Sequence, residues 1–281
     1  MSATIINGKE LAIKIREDLK QKISLLKSHP KLAVILVGHD AASEIYVRNK
    51  QKTAAEVGIE TELFTFENNV TQKQLEDLIE QLNHDETVNG ILVQLPLPAH
   101  LDCEKILIKI DPLKDVDGFH HLNIGLLQNN SLKATIAATP KGCLELIKQT
   151  NIDLTGLNAL VIGRSVIVGK PMAMLLLNQN CTVTIAHSKT KNLKEICKQS
   201  DLIVSACGCT KMIKADWVKK GAVIIDVGIC RDENGKLCGD VDFETVKEKA
   251  SYITPVPGGV GPMTIAMLLE NTLEAYLKQH Q

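Results

Sequence analysis

Two kinds of apolar pattern alternate along this chain. Unbroken apolar runs of about 4 to 8 residues, bounded by turn residues, read as buried strands, whereas apolar positions recurring every three or four residues read as helices. In the first half, Leu32 to Val37, Thr61 to Phe66 and Val88 to Gln94 are predicted strands. Between them, Asp40 is placed to cap a helix from Ala41 to about Val57 that Gly58 ends, and Thr71 with Gln74 makes a capping box for a helix to about Asn83. Pro96 and Pro98 rule out continued central pairing after Gln94. Thr139-Pro140 is predicted to cap a helix through Ile147.

The second half repeats a strand and helix unit. Strands are predicted at Asn158 to Ile162, Cys181 to Ala186, Leu202 to Ala206, Ala222 to Val227 and near Tyr252 to Val256. Helices fall after Gly169, at Leu193 to Gln199 and around Ala215 to Lys219, and Asn234-Gly235 is a hairpin turn. Such a series builds a parallel sheet with helices on both faces, and ligands bind at the carboxyl ends of its strands. The turns at Gly163, His187, Gly208 and Gly228 fall on that edge. The expected fold class is therefore α/β, with two α/β domains, the second a Rossmann-like doubly wound parallel sheet.

Within that series, Val161 to Pro171 reads as a strand end, a glycine-flanked polar turn and a helix start. Gly163 lets the backbone turn sharply, Gly169 allows close approach, and Pro171 suits a first helical turn, where its missing N–H costs nothing. Unpaired amides at the helix start favour an anion, and Arg164 and Ser165 add further donors. The spacing is not G-x-G-x-x-G. Taken alone, it leaves both a phosphate cradle and an ordinary strand-to-helix loop open; the strands that follow favour the cradle. The next strand ends at His187-Ser188-Lys189-Thr190 with no Asp or Glu to accept from a ribose 2′-hydroxyl, so Ser188 and Lys189 with Arg164 point to NADP over NAD.

Composition narrows the partners. Lys and Arg number 32 against 33 Asp and Glu, a formal charge of -1, which implies no large basic field and leaves a local patch open. With aromatic residues at 3%, stacking on nucleic-acid bases has little to work with. The 281 residues, 44% of them hydrophobic, are enough for two cores. The eight cysteines form no C-x-x-C pair and no His-Cys cluster, so they read as buried hydrophobes in a reducing compartment; Cys207 and Cys209, flanking Gly208, are a weaker candidate redox pair. His120-His121 reads as loop surface, and no metal site is expected. Met1-Ser2-Ala3-Thr4 opens no targeting signal and no apolar run reaches membrane-spanning length, so a cytoplasmic protein without nucleic-acid or membrane partners is expected.

The candidate chemistry of the first half lies on the helix that Asp40 caps. Ser43, Tyr46 and Lys50, at i, i+3 and i+7, share one face. A solvated face would account for them individually, but Gln94 at a strand end and the acidic loop Asp111 to Gly118 give them company. In that loop Asp117 either makes an Asx turn or presents a carboxylate to a ligand with amine donors.

Taken together, these segments resemble the methylenetetrahydrofolate dehydrogenase/methenyltetrahydrofolate cyclohydrolase family, the bifunctional FolD enzymes. The resemblance rests on Ser43 to Lys52, Gly90 to Pro98, Lys114 to Gly118, Thr139 to Gly142, Gly163 to Pro171, His187 to Thr190 and Pro255 to Thr264, spanning nearly the whole chain in family order. It implies oxidation of 5,10-methylenetetrahydrofolate by NADP, then hydrolysis of the methenyl product to 10-formyltetrahydrofolate, in one active-site cleft between the domains. It implies a folate-binding catalytic domain of residues 1–139 plus 262–281, an NADP-binding domain of residues 140–261, and a homodimer. Lys50 is then the key group for hydrolysis, Gln94 assists it, Tyr46 stacks on the folate and Asp117 binds the pterin. These four form the catalytic set. Substrate contacts fall to Ser43, Tyr46, Gln94, Asp117, Pro257, Gly258 and Gly259, and cofactor contacts to Gly163, Arg164, Ser165, Gly169, His187, Ser188, Gly228, Ile229 and Thr264. The chain departs from the family at Ala137-Ala138, where Pro-Cys is common, and at Ala186, where a cysteine often stands. Two rival readings share the architecture: a shikimate dehydrogenase-like oxidoreductase, and a non-catalytic nucleotide-binding protein, which has no use for Lys50, Gln94 and Asp117.

Overall fold

Local chemistry sets where the elements begin and end. The Asp40 carboxylate accepts from the Ser43 amide at 2.8 Å, and Gly58, at φ 90°, closes the same helix in the left-handed region. The Thr71–Gln74 capping box forms as its spacing predicts. The computed structural model describes residues 2–280, apart from the side chain of Ala42.

In chain order the elements are β1 (Thr4–Ile5), α1 (Gly8–Ser24), β2 (Lys31–Val37), α2 (Ala41–Val57), β3 (Glu60–Phe66), α3 (Gln72–His84), β4 (Gly90–Val93), α4 (Cys103–Ile108), α5 (His121–Gln128) and α6 (Ala138–Lys148). There follow β5 (Asn158–Ile162), α7 (Gly169–Asn178), β6 (Thr182–Ala186), α8 (Leu193–Gln199), β7 (Leu202–Ser205), β8 (Val223–Asp226), β9 (Cys230–Arg231), β10 (Leu237–Cys238), α9 (Phe243–Val246), β11 (Tyr252–Ile253) and α10 (Val260–Gln279).

The chain divides into two compact units. One comprises the residues up to Ile13 with Thr139–Thr264, the other Lys14–Ala138 with the residues from Ile265. The first holds a six-stranded, wholly parallel sheet in the order β1-β11-β8-β7-β5-β6. Its direction of winding reverses at β5, which has β6 on one side and β7 on the other, and that reversal is where such sheets leave a ligand crevice. Leu160, Ile162, Ile203, Ile224 and Ile253 are buried in its core. The second unit has a three-stranded parallel sheet, β3-β2-β4, with Ala33, Ile35, Leu75, Ile79, Ile91 and Ile106 in its core.

Four features differ from the sequence reading. Residues up to Ile13 group with the six-stranded sheet, because Thr4 pairs with Tyr252 and Ile5 with Ile253; Pro262 to Thr264 group there too. The helix expected around Ala215 to Lys219 is a single 3₁₀ turn, Ala215–Trp217. The His120-His121 pair opens α5: His120 Nδ1 accepts from the Leu122 amide at 3.0 Å as its cap, and His121 lies 3.3 Å from Glu104. Finally, α1 escapes the strand-oriented pattern although Leu11, Ile15, Leu19 and Ile23 recur every fourth residue, with Leu19 and Ile23 fully buried. Among the described residues no helix is long and apolar enough to cross a membrane, and no group of three or more His, Cys, Asp or Glu side chains is arranged to hold a metal ion.

Candidate functional site

In the three-stranded unit, the helix face read from sequence meets the end of β4. Lys50 is only 6% exposed, and its Nζ donates to Gln94 Oε1 at 3.0 Å. The Gln94 amide is oriented by its own neighbour: Nε2 donates to the Leu95 carbonyl at 2.7 Å, which leaves Oε1 to face the lysine. The Tyr46 ring lies under the amine, 4.5 Å from ring centroid to Nζ, within cation–π range. Ser43 is buried on the same face, but its amide and hydroxyl are both engaged by Asp40, whose carboxyl they hold below its ordinary range.

Asp117 reaches this group through an ordered loop. Ile91 of β4 donates its amide to the Lys114 carbonyl at 2.8 Å and bridges to Asp115, so the loop runs alongside β4. The turn chemistry expected of Asp117 belongs to Asp115, which is buried and accepts from the amides of Gly118, Phe119 and His120 and from Asn123 Nδ2. Asn271 of α10 donates to the carbonyls of Val116 and Ile136, at 2.9 and 2.8 Å, pinning the loop on either side of Asp117. Freed of turn duty, Asp117 interacts electrostatically with Lys50. Burial pushes its carboxyl up to about 7, against the pull of the Lys50 cation and with a further push from Asp115. Burial likewise lowers the Lys50 amine below its ordinary range, while the Asp117 charge opposes that shift.

In the six-stranded unit, the turns after β5, β6, β8 and β11 lie on the carboxyl edge. Gly163 has φ 128° and its Cα faces the Ala206 carbonyl at the end of β7, so no side chain fits there. Arg164 and Ser165 are exposed. The Ser165 hydroxyl already accepts from the amides of Val168 and Gly169, at 3.1 and 3.3 Å, which holds the turn into α7 and leaves only its proton to offer a ligand. A Cβ on Gly169 would run into the Gly163 carbonyl. His187 to Thr190 form a tight turn: His187 Nδ1 accepts from the Lys189 amide and Thr190 Oγ1 from the His187 amide, leaving Ser188 exposed.

Gly228, Ile229, Pro257, Gly258 and Gly259 line one cavity of about 170 Å³ at the ends of β8 and β11, with Ile229 71% exposed at its rim. The substrate and cofactor contacts expected of these five therefore converge on one place. Thr264 lies within α10, where its hydroxyl meets that of Thr139 at 3.0 Å and faces the Val260 carbonyl one turn back, so it is engaged within the helix pair and not with the strand-edge turns. Sequence reasoning missed Asp115, Asn271, and the buried pair Asp226 and Asp240.

One unit is a doubly wound parallel sheet of the class that binds dinucleotides, and the other is an α/β unit that carries the buried Lys50. Residues 6–117 match the family model described as tetrahydrofolate dehydrogenase/cyclohydrolase, catalytic domain, and residues 137–280 match the NAD(P)-binding domain of the same family. The chain belongs to the tetrahydrofolate dehydrogenase/cyclohydrolase family. The bifunctional protein FolD of Acetivibrio thermocellus is 55% identical over 278 residues, 98% of this chain and 97% of that protein. The crystal structure of the bifunctional enzyme FolD from Campylobacter jejuni matches with TM-score 0.97 and 50% identity over 99% of each chain. The FolD structure from Trypanosoma brucei, complexed with NADP cofactor and inhibitor, matches with TM-score 0.96 and 38% identity over 100% of this chain and 99% of that one. Shikimate 5-dehydrogenase from Thermus thermophilus shares the fold alone, with TM-score 0.54 and 15% identity over 87% of this chain and 99% of that one.

Proposed function

We propose that this protein oxidises 5,10-methylenetetrahydrofolate with NADP and hydrolyses the resulting 5,10-methenyl cation to 10-formyltetrahydrofolate. The observation that carries the reading is the enclosed Lys50 amine, bonded to Gln94, over the Tyr46 ring and within the field of Asp117. Family membership and the bifunctional names of the relatives agree with it.

The carboxyl edge of the six-stranded sheet suits a dinucleotide. Its cradle has no room for a Cβ at Gly163 or Gly169, Arg164 is exposed beside it, and the β6 end carries Ser188 and Lys189 in place of an acid. Gly163, Arg164, Ser165 and Gly169 hold the phosphates, His187 and Ser188 the adenosine side, and Gly228 and Ile229 the far end. When bound, NADP accepts the hydride. That step asks the chain for placement, with the reacting carbons about 3 to 3.5 Å apart, since the folate nitrogens stabilise the cation left behind.

Hydrolysis needs a base, and Lys50 is that group. An ordinary lysine, with a pKa of about 10.4, is almost wholly protonated at neutral pH; burial and the substrate's own positive charge enlarge the neutral fraction. With Gln94 Oε1 taking one N–H, the amine lone pair is free to accept a proton from the attacking water. Lys50 then returns it to the folate nitrogen whose bond to the one-carbon unit breaks. Tyr46 stacks on the folate and Asp117, with Ser43 nearby, receives the pterin donors. Pro257, Gly258 and Gly259 complete the substrate's surroundings, and Thr264 acts by seating α10 against α6. The protein works as a cytoplasmic homodimer, without nucleic-acid or membrane partners.

One absorbance assay tests the reading. Methylenetetrahydrofolate with NADP gives reduced cofactor and a methenyl band that then decays, and NAD is a poorer substitute. Lys50→Met leaves the first phase and slows the decay by at least ~10²-fold, the usual contribution of a positioned base; decay at the wild-type rate removes Lys50 from the mechanism.

A further inference from the structure

Two buried carboxylates in the six-stranded unit have no cationic partner among the described residues. Asp226, the last residue of β8, is 2% exposed, and Asp240 is fully buried. Each is satisfied by backbone and hydroxyl donors instead. Asp226 accepts from the amides of Gly228 at 2.9 Å, Asp240 at 3.0 Å and Val241 at 2.9 Å. Asp240 accepts from the amides of Cys207 and Cys209, both at 2.8 Å, and from the Ser205 hydroxyl at 2.9 Å.

The two residues interlock. A Cβ on Gly228 would lie 2.6 Å from Asp240 Cγ, and one on Gly239 would run into the Asp226 carboxyl, so each acid rests on the glycine beside the other. The segment after β10 is itself anchored, with Ile213 donating to the Asp240 carbonyl at 3.0 Å and Lys211 to that of Gly239 at 3.0 Å. Asp240 gathers its donors from Ser205 at the end of β7 and from Cys207 and Cys209 in the loop that follows, whereas Asp226 takes one from Gly228 in the loop after β8 and two from Asp240 and Val241, so the segment after β10 ties the two edge loops together.

Hydrophobic packing would fasten those loops at lower cost. Two acids buried side by side raise each other's energy, and Asp226 is pushed up to about 7 chiefly by burial, with its amides opposing and the Asp240 charge adding. What carboxylates offer that apolar contacts lack is direction: an acid fixes where each amide points. We infer that Asp226 and Asp240 form a reciprocal clasp that sets the two edge loops in the shape the nicotinamide half of the dinucleotide requires, making them positioning residues for nucleotide binding. The inference rests on the reading of this edge as the NADP site.

Asp240→Asn is the direct test, because its NH₂ must confront an amide N–H of Cys207 or Cys209 in nearly unchanged volume. NADP affinity, measured by titration calorimetry, falls ~10-fold or more, in line with one charged hydrogen-bond set lost. Hydrolysis of methenyltetrahydrofolate, which uses Lys50 and no nucleotide, keeps kcat and KM within about 2-fold. Ser205→Ala, which removes one donor and no charge, gives a smaller loss of NADP affinity in the same direction and serves if the Asn variant does not fold. Unchanged NADP affinity in a folded variant overturns the clasp. Failure of the wild-type protein to bind NADP overturns the nucleotide reading instead, and equal losses in NADP binding and hydrolysis reduce the pair to a general stability role, which also overturns it.

Discussion

Lys50 and Asp117 share one electrostatic problem, and their environments shift them toward each other. Burial disfavours both charges, so the amine drops, the carboxyl rises to about 7, and each charge partly restores its partner. The stability consequence has a definite sign. A carboxyl raised in the folded state lowers stability increasingly as pH climbs from its ordinary value near 4 through 7, because the unfolded chain ionises first. Asp117→Asn therefore raises Tm by a few degrees at pH 8 and hardly at all at pH 4, while folate affinity drops. A Tm difference independent of pH counts against the raised carboxyl. At the nucleotide edge, Arg164→Ala weakens NADP ~10- to 100-fold, the worth of a charged hydrogen bond, and alters NAD by no more than about 2-fold. Equal losses remove the role given to Arg164 at the 2′-phosphate.

Elements decide which of these residues meet. The stripe of Ser43, Tyr46 and Lys50 was legible because α2 has both its stop signals in sequence, Asp40 and Gly58, and a helix so bounded has a known face. Strand β5 was legible to the residue for a similar reason, an apolar run closed by Gly163. What stayed hidden depends on partners distant in sequence. Asp115 and Asp117 look alike in Lys114-Asp115-Val116-Asp117-Gly118, and only pairing of that loop with β4 tells the turn-former from the carboxylate left to the site. Asp226 and Asp240 each sit near a glycine and read as ordinary turn chemistry until the two are seen to interlock. Asn271 shows how far such control extends: Asn271→Leu strands the carbonyls of Val116 and Ile136, at roughly 1 to 3 kcal/mol each. The expected readout is a lower Tm with a raised KM for folate and an unchanged affinity for NADP.

At the scale of the molecule, β6 ends the six-stranded sheet with one side unpaired among the described residues, although its Val183 and Ile185 are apolar. Edge strands of that kind are commonly covered. Light scattering coupled to gel filtration is expected to give twice the chain's 30.7 kDa; a monomer at working concentration sets the homodimer aside. The order in which the chain leaves the ribosome adds a temporal constraint. Thr4 and Ile5 are made long before Tyr252 and Ile253, with which they pair. At about 5 to 20 residues per second, the opening strand waits on the order of ten seconds or more for its neighbour. The nascent protein therefore carries β1 as an orphan strand until β11 has been made, and its sheet is finished only then.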